Sequence, residues 1–486
     1  MSQLNEFKSF LNCPDVLDKI RAGLIGDNVQ IEGPFGLRPM LYADYVASGR
    51  SLAQVEDFIR DKVLPYYANS HTQASFCGAY TTNLREAARA EIARIAGVED
   101  DTSVVFTGAG STAAINRIVG LLDFAPLIAK GGRVVLIVGP YEHHSNLLPW
   151  RESGAQVIEI PEALQGGPNM DALVHALKDA KDANLVIGAF SAASNVTGIK
   201  TEVDQVTRLL KQHGALAIWD YGCAAPYMDM NMRAGSDVAK DAIVFSPHKF
   251  PGGPGASGIM ILRDAIVRRA VPTSPGGGTV TFVSPWGHTY SSKLSTREEG
   301  GTPNVIGDIR VALSMLVKEA LGQSWFDQRH TELRNRALAV WTQNSRIELL
   351  GLCDADALPI FSFRVRDSDG RYIHHQFLTR LLSDVYGVQA RGGCACAGPY
   401  AHKLLKVSET QSEKMRAAIA QGEEIEKPGW VRLNLSALLT DSKVNSIIEA
   451  VGKLALEAAH YEKYYSVDPT TARFTPVAAA EKSLSI

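Results

Sequence analysis

Between about residues 100 and 262 the chain alternates short runs that are apolar at nearly every position with longer stretches of helical spacing. The runs are SVVFTG (103–108), RVVLIVG (133–139), NLVIGAF (184–190), ALAIWD (215–220), AIVFS (242–246) and GIMIL (258–262). Between them, STAAINRIVGLLDF (111–124) reads as a helix and VDQVTRLLKQHG (203–214) repeats its apolar residues about every 3.6 positions before a glycine stop. Strands apolar on consecutive residues suit a sheet covered on both faces, so the pattern predicts a mostly parallel sheet in an α/β sandwich. Ligands of such sheets gather beyond the carboxyl ends of the strands, which directs attention to the residues just after each run.

Beyond about residue 320 the pattern changes. A helical DQRHTELRNRALAVWTQ leads to the strand-like LPIFSFRVR (358–366) and the helical HHQFLTRLLSDVYG. After VQARGGCACAGPY come a polar helical insert, the strand-like GWVRLNLS (429–436) and a last helix near 442–463. This predicts a smaller α+β domain. The expected organisation is an N-terminal arm (1–39), a large α/β domain (40–320), a small C-terminal α+β domain (321–465) and a tail (466–486) without a core pattern, read as a surface arm.

Composition narrows the function classes. With 486 residues, 45% apolar and 21% charged, the chain has ordinary globular composition and enough length for a large core. A formal net charge of −3 offers no long-range attraction to nucleic acid or anionic membrane. No apolar run approaches the roughly 20 residues that span a bilayer. The first residues carry an early acid and no apolar core, unlike a secretory signal. Six cysteines in a chain this long make no disulfide framework, so a reducing cytoplasm is expected.

Several strand ends carry candidate chemistry. SPHKFPGGPGASG (246–258) places its glycines after Lys249, the reverse of a nucleotide-binding P-loop. TGAGSTAAIN (107–116) joins a strand to a helix through Gly108, Gly110, Ser111 and Thr112, which serve either as a helix cap or as a phosphate cradle. Asp220 ends its strand, as a cap, an ion-pair partner or a counter-charge for a cationic ring nitrogen. His143 and His144 follow another strand. Nothing supplies the spacing of a zinc site, since CAC (394–396) is too tight, so no metal is expected. Taken together, the cradle, His143, Asp220, Ser246, His248 and Lys249 are what pyridoxal phosphate needs: an anchor for the phosphate, a partner for the ring nitrogen and a Schiff-base lysine.

These motifs resemble the class V aminotransferase superfamily of fold-type I pyridoxal-phosphate enzymes, and within it the cysteine desulfurase and selenocysteine lyase branch. The resemblance covers roughly residues 40 to 460. YEHHSNLLPW is similar to that branch's E-H-H-x-N-x-x-P-W, which implies that His143 stacks on the cofactor ring. GST (110–112) matches its phosphate-binding G-T-T, SNVTG carries over Asn195 near the ring oxygen, and Asp220 matches the pyridinium partner. FSPHK implies Ser246 and His248 as phosphate ligands and Lys249 as the Schiff-base residue. GGTPN resembles a loop that brings a threonine, here Thr302, to the neighbouring subunit's phosphate, and so implies a homodimer. ARGGCACAGP matches R-x-G-x-x-C with Arg391 and Cys396, the sulfur-accepting nucleophile, while WVRLNLS puts Arg432 where the substrate carboxylate is gripped.

Three features depart from the family pattern. Its Asp-x-x-Gln becomes Asp220-Tyr-Gly-Cys223, so a cysteine stands where the O3′ region of the cofactor is contacted. The two histidines before the desulfurase cysteine become Cys394 and Ala395, and KVSETQSEKMRAAIAQGEEIEKPG (406–429) is inserted before Arg432. The leading expectation is a cysteine desulfurase that moves sulfur from L-cysteine onto Cys396 as a persulfide and releases alanine, with a sulfur-acceptor protein as a further partner. The alternative is a class V aminotransferase, or another pyridoxal-phosphate lyase or epimerase, which would need Lys249, Asp220 and Arg432 but not Cys396. Cys394 and Cys396 follow glycines in a loop, which suits either accessible thiols or small residues packed in a turn.

Overall fold

In a computed structural model that describes residues 3–70 and 72–477, all six apolar runs become strands of one seven-stranded sheet. The strands are β1 (Thr102–Gly108), β2 (Val134–Val138), β3 (Gln156–Glu159), β4 (Leu185–Ser191), β5 (Leu216–Asp220), β6 (Ala242–Phe245) and β7 (Gly258–Arg263), in the order β1-β7-β6-β5-β4-β2-β3. Neighbours from β3 to β6 are parallel, and β7 runs antiparallel to both β6 and β1. β2 is buried at every position because both faces are covered, and its Val134, Leu136 and Val138 share a core with Ile115, Ile118 and Leu122. The unpredicted strand is β3. It lies at the sheet edge with Gln156 exposed, so burial never imposed the continuous apolar run that marks its neighbours.

This sheet belongs to the first of two compact units, formed by the chain up to Ile25, Ser48–Ala193 and Lys200–Phe326. The segment expected as an N-terminal arm contributes two helices here, Gln3–Leu11 and Val16–Ala22. Leu4, Phe7 and Leu11 recur at helical spacing and are buried, and Phe7 meets Phe58 edge-on at 5.5 Å.

The second unit comprises Gly26–Ala47, Ser194–Ile199 and the chain from Asp327. Its four-stranded antiparallel sheet contains β8 (Ile347–Leu349), β9 (Ile360–Val365), β10 (Arg391–Gly393) and β11 (Trp430–Asn434), in the order β8-β9-β11-β10. Helices His375–Tyr386 and Asp441–Glu457 pack Phe377, Leu381, Ile447 and Val451 into its core. A short strand, Leu41–Tyr42, pairs in parallel with Val388–Gln389 and brings the early segment into this unit. The region expected as a surface arm from 466 instead supplies a hairpin, Tyr465–Asp468 with Arg473–Pro476, whose Phe474 packs on Phe377 at 5.0 Å between ring centroids. Tyr465 of the same hairpin also packs on Phe377, at 5.3 Å, and two anchors on separate strands leave no periodic signal, which is why the hairpin was not legible; the rest of that tail, 478–486, lies outside the described residues. The insert forms a helix, Glu409–Ala420, which starts with a Ser408–Gln411 capping box and buries no residue. Among the described residues no helix is long and apolar enough to cross a membrane.

Trp341 ties the second core together. It is fully buried, meets Phe361 edge-on at 4.9 Å and donates its indole N–H to the Ile448 carbonyl at 3.0 Å. Trp341→Ala should lower the stability of this unit by roughly 3–5 kcal/mol, read as an earlier urea midpoint. Trp341→Phe should lose only part of that.

Candidate active site

The first unit assembles its polar groups at the carboxyl ends of β1, β5 and β6. Gly108 and Gly110 take left-handed φ values of 83° and 59°, which turns the chain sharply from β1 into helix Gly110–Leu122. That turn delivers the Ser111 N–H to the Ser246 hydroxyl at 2.9 Å, just beyond β6, and the two buried hydroxyls lie 3.1 Å apart. A Cβ on Gly110 would stand 2.7 Å from Ser246 Oγ, so the contact needs glycine. Thr112 Oγ1 meets Ser145 Oγ at 2.6 Å, and the Ser145 N–H donates to His143 Nδ1 at 3.1 Å. Gly110, Ser111, Thr112, Ser246 and His143 therefore form one connected set.

Asp220 closes β5 and is buried. Burial pushes its carboxyl up, against the Gly222 N–H, the Lys249 ammonium and the Ser111 hydroxyl, which act the other way. Lys249 ends a one-turn helix, Pro247–Lys249, directly after β6. The glycine run that follows packs back on this turn: the Gly253 N–H donates to Phe250 O, and a Cβ there would sit 2.0 Å from the Pro247 carbonyl. The glycines thus hold the lysine's own turn by close backbone packing. Burial, helped by Lys249, lowers His248 to about 4, so its ring is an uncharged donor at neutral pH. Cys223 is buried and donates its thiol to the Ala193 carbonyl at 3.1 Å. Thr302 stands exposed, two residues before the cap of helix Val305–Leu321.

One residue of this unit escaped the sequence reading. Glu142, immediately before His143, is buried and accepts from the N–H groups of Gly139 and Ser191 at 3.1 and 2.9 Å, the Ser191 hydroxyl at 2.7 Å and the Asn146 amide at 2.5 Å. It ties the loop that carries His143 to the end of β4. The available signal was an acid four residues beyond the end of an apolar strand, a weaker form of the signal that singled out Asp220 at the end of its own strand.

The second unit carries Asn195, Arg391, Cys396 and Arg432. Arg391 on β10 and Arg432 on β11 are direct cross-strand partners. Asp44, also missed in the sequence, accepts from Arg432 Nη2 at 2.9 Å with one oxygen and from Arg391 Nε at 3.2 Å with the other. Arg432 also donates through Nη1 to the Asn195 carbonyl at 3.2 Å, and the Asn195 amide donates to the Ala395 carbonyl at 2.7 Å. Among the described residues, two buried atoms of this set, Arg432 Nε and Asn195 Oδ1, have no hydrogen-bond partner. Such a donor and acceptor are costly to bury unless a ligand completes them. Ala395 and Cys396 both lie in the left-handed region, at φ 54° and 55°, at about 1–2 kcal/mol each. Cys394 is half-buried and Cys396 exposed.

The first unit's donor set fits pyridoxal phosphate. A helix N-terminus with three hydroxyls suits the phosphate, a buried carboxyl suits a protonated ring nitrogen, and an amine stands ready for the aldehyde. Among the described residues no group of three or more His, Cys, Asp or Glu side chains is placed to hold a metal ion.

Comparison with known proteins gives a family and several similar chains. The family described as aminotransferase class-V matches residues 41–427. A probable cysteine desulfurase of Vibrio cholerae serotype O1 is 29% identical over 387 residues, which cover 79% of this chain and 90% of the relative. A cysteine desulfurase of Escherichia coli O127:H6 is 26% identical over 383 residues, 79% of this chain and 89% of the relative. The solved apo structure of a cysteine desulfurase from Thermococcus onnurineus NA1 superposes with a TM-score of 0.71 at 22% identity, covering 90% of this chain and 98% of that one. A cysteine desulfurase from Escherichia coli superposes with a TM-score of 0.69 at 23% identity, covering 91% and 98%. These two likenesses establish a fold-type I architecture.

Burial pushes the Glu142 carboxyl up from 4.5 to about 7 despite its four donors, with Asp220 adding to the shift. The folded protein then holds a proton that the unfolded chain gives up between those values. Its stabilising contribution is full below about 4.5 and is lost as pH rises through about 7. Urea unfolding from pH 4.5 to 7.5 should therefore show a loss on the order of 3 kcal/mol that Glu142→Gln does not share.

Proposed function

Since this chain belongs to the class-V aminotransferase family, we propose that it is a pyridoxal-phosphate-dependent cysteine desulfurase, which takes sulfur from L-cysteine onto Cys396 as a persulfide and releases alanine. The observation that carries this reading is the loop around Cys396. An exposed thiol is held in a costly left-handed turn whose Ala395 carbonyl is tied through Asn195 to Arg432. Transamination or epimerisation would have no use for that thiol.

Pyridoxal phosphate, when bound, supplies an electron sink for the substrate's α-carbon. The Ser111, Thr112 and Ser246 hydroxyls and the helix N–H groups from Gly110 onward hold its phosphate, and the neutral His248 ring adds an N–H. Asp220 keeps the ring nitrogen protonated. By family correspondence His143 would hold the cofactor's ring, and Asn195 and Cys223 would serve its oxygen side. Lys249 would hold the cofactor's aldehyde carbon, and its Nζ would move the substrate's α-proton. Arg432 receives the substrate carboxylate through its unpartnered Nε, with Asp44 fixing the guanidinium plane, and Arg391, held by the other oxygen of Asp44, is assigned to the substrate as well. The Cys396 thiolate attacks the substrate sulfur. Thr302 serves the phosphate of the second subunit in a homodimer, and the reaction belongs in a reducing cytoplasm, with a protein sulfur acceptor downstream.

The test is purified holoenzyme with L-cysteine and a reductant, with alanine and sulfide followed together. Equal amounts of both are expected. Arg432→Ala should weaken substrate binding by roughly 2–5 kcal/mol, read in the substrate-induced change of the cofactor spectrum. Cys396→Ser should still give that spectral change yet release little alanine, and Lys249→Ala should lose the borohydride-fixable cofactor. Undiminished alanine formation by a protein with both Cys394 and Cys396 changed to serine would overturn the desulfurase reading in favour of an aminotransferase or related lyase.

A further inference from the structure

The proposed reaction uses one thiol, yet the loop of the second unit presents two. Cys394 and Cys396 flank Ala395, and the Ala397 N–H closes the loop on the Cys394 carbonyl at 3.2 Å. With positive φ at both central residues, Ala395 and Cys396, this is the mirror-image tight turn usually built from Asn and Gly. Two Cα–Cα steps of about 3.8 Å folded through such a turn bring the Cα atoms of Cys394 and Cys396 to roughly 5–6 Å. That separation is inside the range of about 4.4–6.8 Å that a disulfide spans. The Asn195 amide holds the turn at its apex through the Ala395 carbonyl. Cys396 is exposed to an incoming sulfur, whereas Cys394 is half-buried.

We propose that Cys394 is a resolving thiol, which makes free hydrosulfide a product of this protein; the proposal rests on the desulfurase reading above. Once Cys396 carries the extra sulfur, the Cys394 thiolate attacks Cys396 Sγ. The bond between Cys394 Sγ and Cys396 Sγ forms, and the bond from Cys396 Sγ to the outer sulfur breaks. The outer sulfur leaves with that electron pair as hydrosulfide. The two cysteine sulfurs are oxidised to a disulfide, the transferred sulfur is reduced, and the Cys394 proton passes to solvent. An external dithiol then reduces the disulfide by thiol–disulfide exchange and resets the pair. When no acceptor takes the sulfur, a single-cysteine enzyme would stop as a persulfide, whereas this one stops as a disulfide and waits for a reductant.

The experiment takes pre-reduced holoenzyme, removes the reductant, adds L-cysteine, quenches with an alkylating agent and maps the peptide that holds both cysteines by mass spectrometry. Expected are an intramolecular Cys394–Cys396 disulfide and hydrosulfide equal in amount to alanine. Cys394→Ser should instead accumulate the persulfide on Cys396 and lose hydrosulfide release while alanine still appears. A stable persulfide on either cysteine of the unmodified protein, with the other thiol alkylated, would overturn the proposal and leave the desulfurase reading intact. So would hydrosulfide release by Cys394→Ser equal to that of the parent. Absence of both alanine and persulfide would fail the desulfurase reading itself. Inorganic polysulfide supplied to the reduced protein bypasses the amino-acid chemistry: it should give the same disulfide, and its failure to do so would overturn the resolving role on its own.

Discussion

Two guanidinium groups stand directly opposite each other on neighbouring strands, and a single carboxylate makes the arrangement tenable. Arg391 and Arg432 are register partners across β10 and β11, a placement in which like charges repel. Asp44 gives one oxygen to each. It can do so because Leu41–Tyr42 pairs with Val388–Gln389, the Asn434 N–H donates to Ala43 and the Asn434 side chain accepts from Val46. Residues 26–47 therefore belong with a unit whose main body begins only at Asp327. The remaining Nη1 of Arg432 holds Asn195, and Asn195 holds the cysteine turn. Removal of Asp44 would free both arginines and loosen the chain of hydrogen bonds from which the thiols hang.

The first unit meets the opposite difficulty, too much negative charge in too little water. Asp220 and Glu142 are both buried, and desolvation pushes both carboxyls up. Glu142 is satisfied within the protein by four donors, which suits a group that braces the His143 loop. Asp220 has fewer donors and lies within the field of Lys249, which suits a group that waits for a cationic ring. Two similar acids are thus separated in role by the number of N–H and O–H groups aimed at them. His248 is neutral for the same desolvation reason, with the Lys249 charge acting the same way.

The order of chemistry along the chain was legible without coordinates. Continuous apolar runs marked the strands that are covered on both faces, and Ser111, Asp220, Ser246 and Lys249 stood out because each follows such a run. Elements whose burial is one-sided or held by isolated anchors were not legible: the edge strand β3, the amphipathic first helix and the hairpin anchored by Tyr465 and Phe474. By itself the sequence determined the layered α/β architecture, the polar residues that gather at the strand ends of the first unit and the presence of a cysteine loop, because each is written in contiguous residues of fixed period or spacing. Only the tertiary structure decided that Asp44 answers Arg432 across 388 positions and that Asn195 answers Ala395 across 200. Those pairings are set by strand register and by the demand that buried charges and amides be satisfied, and neither leaves a mark on any local stretch of sequence.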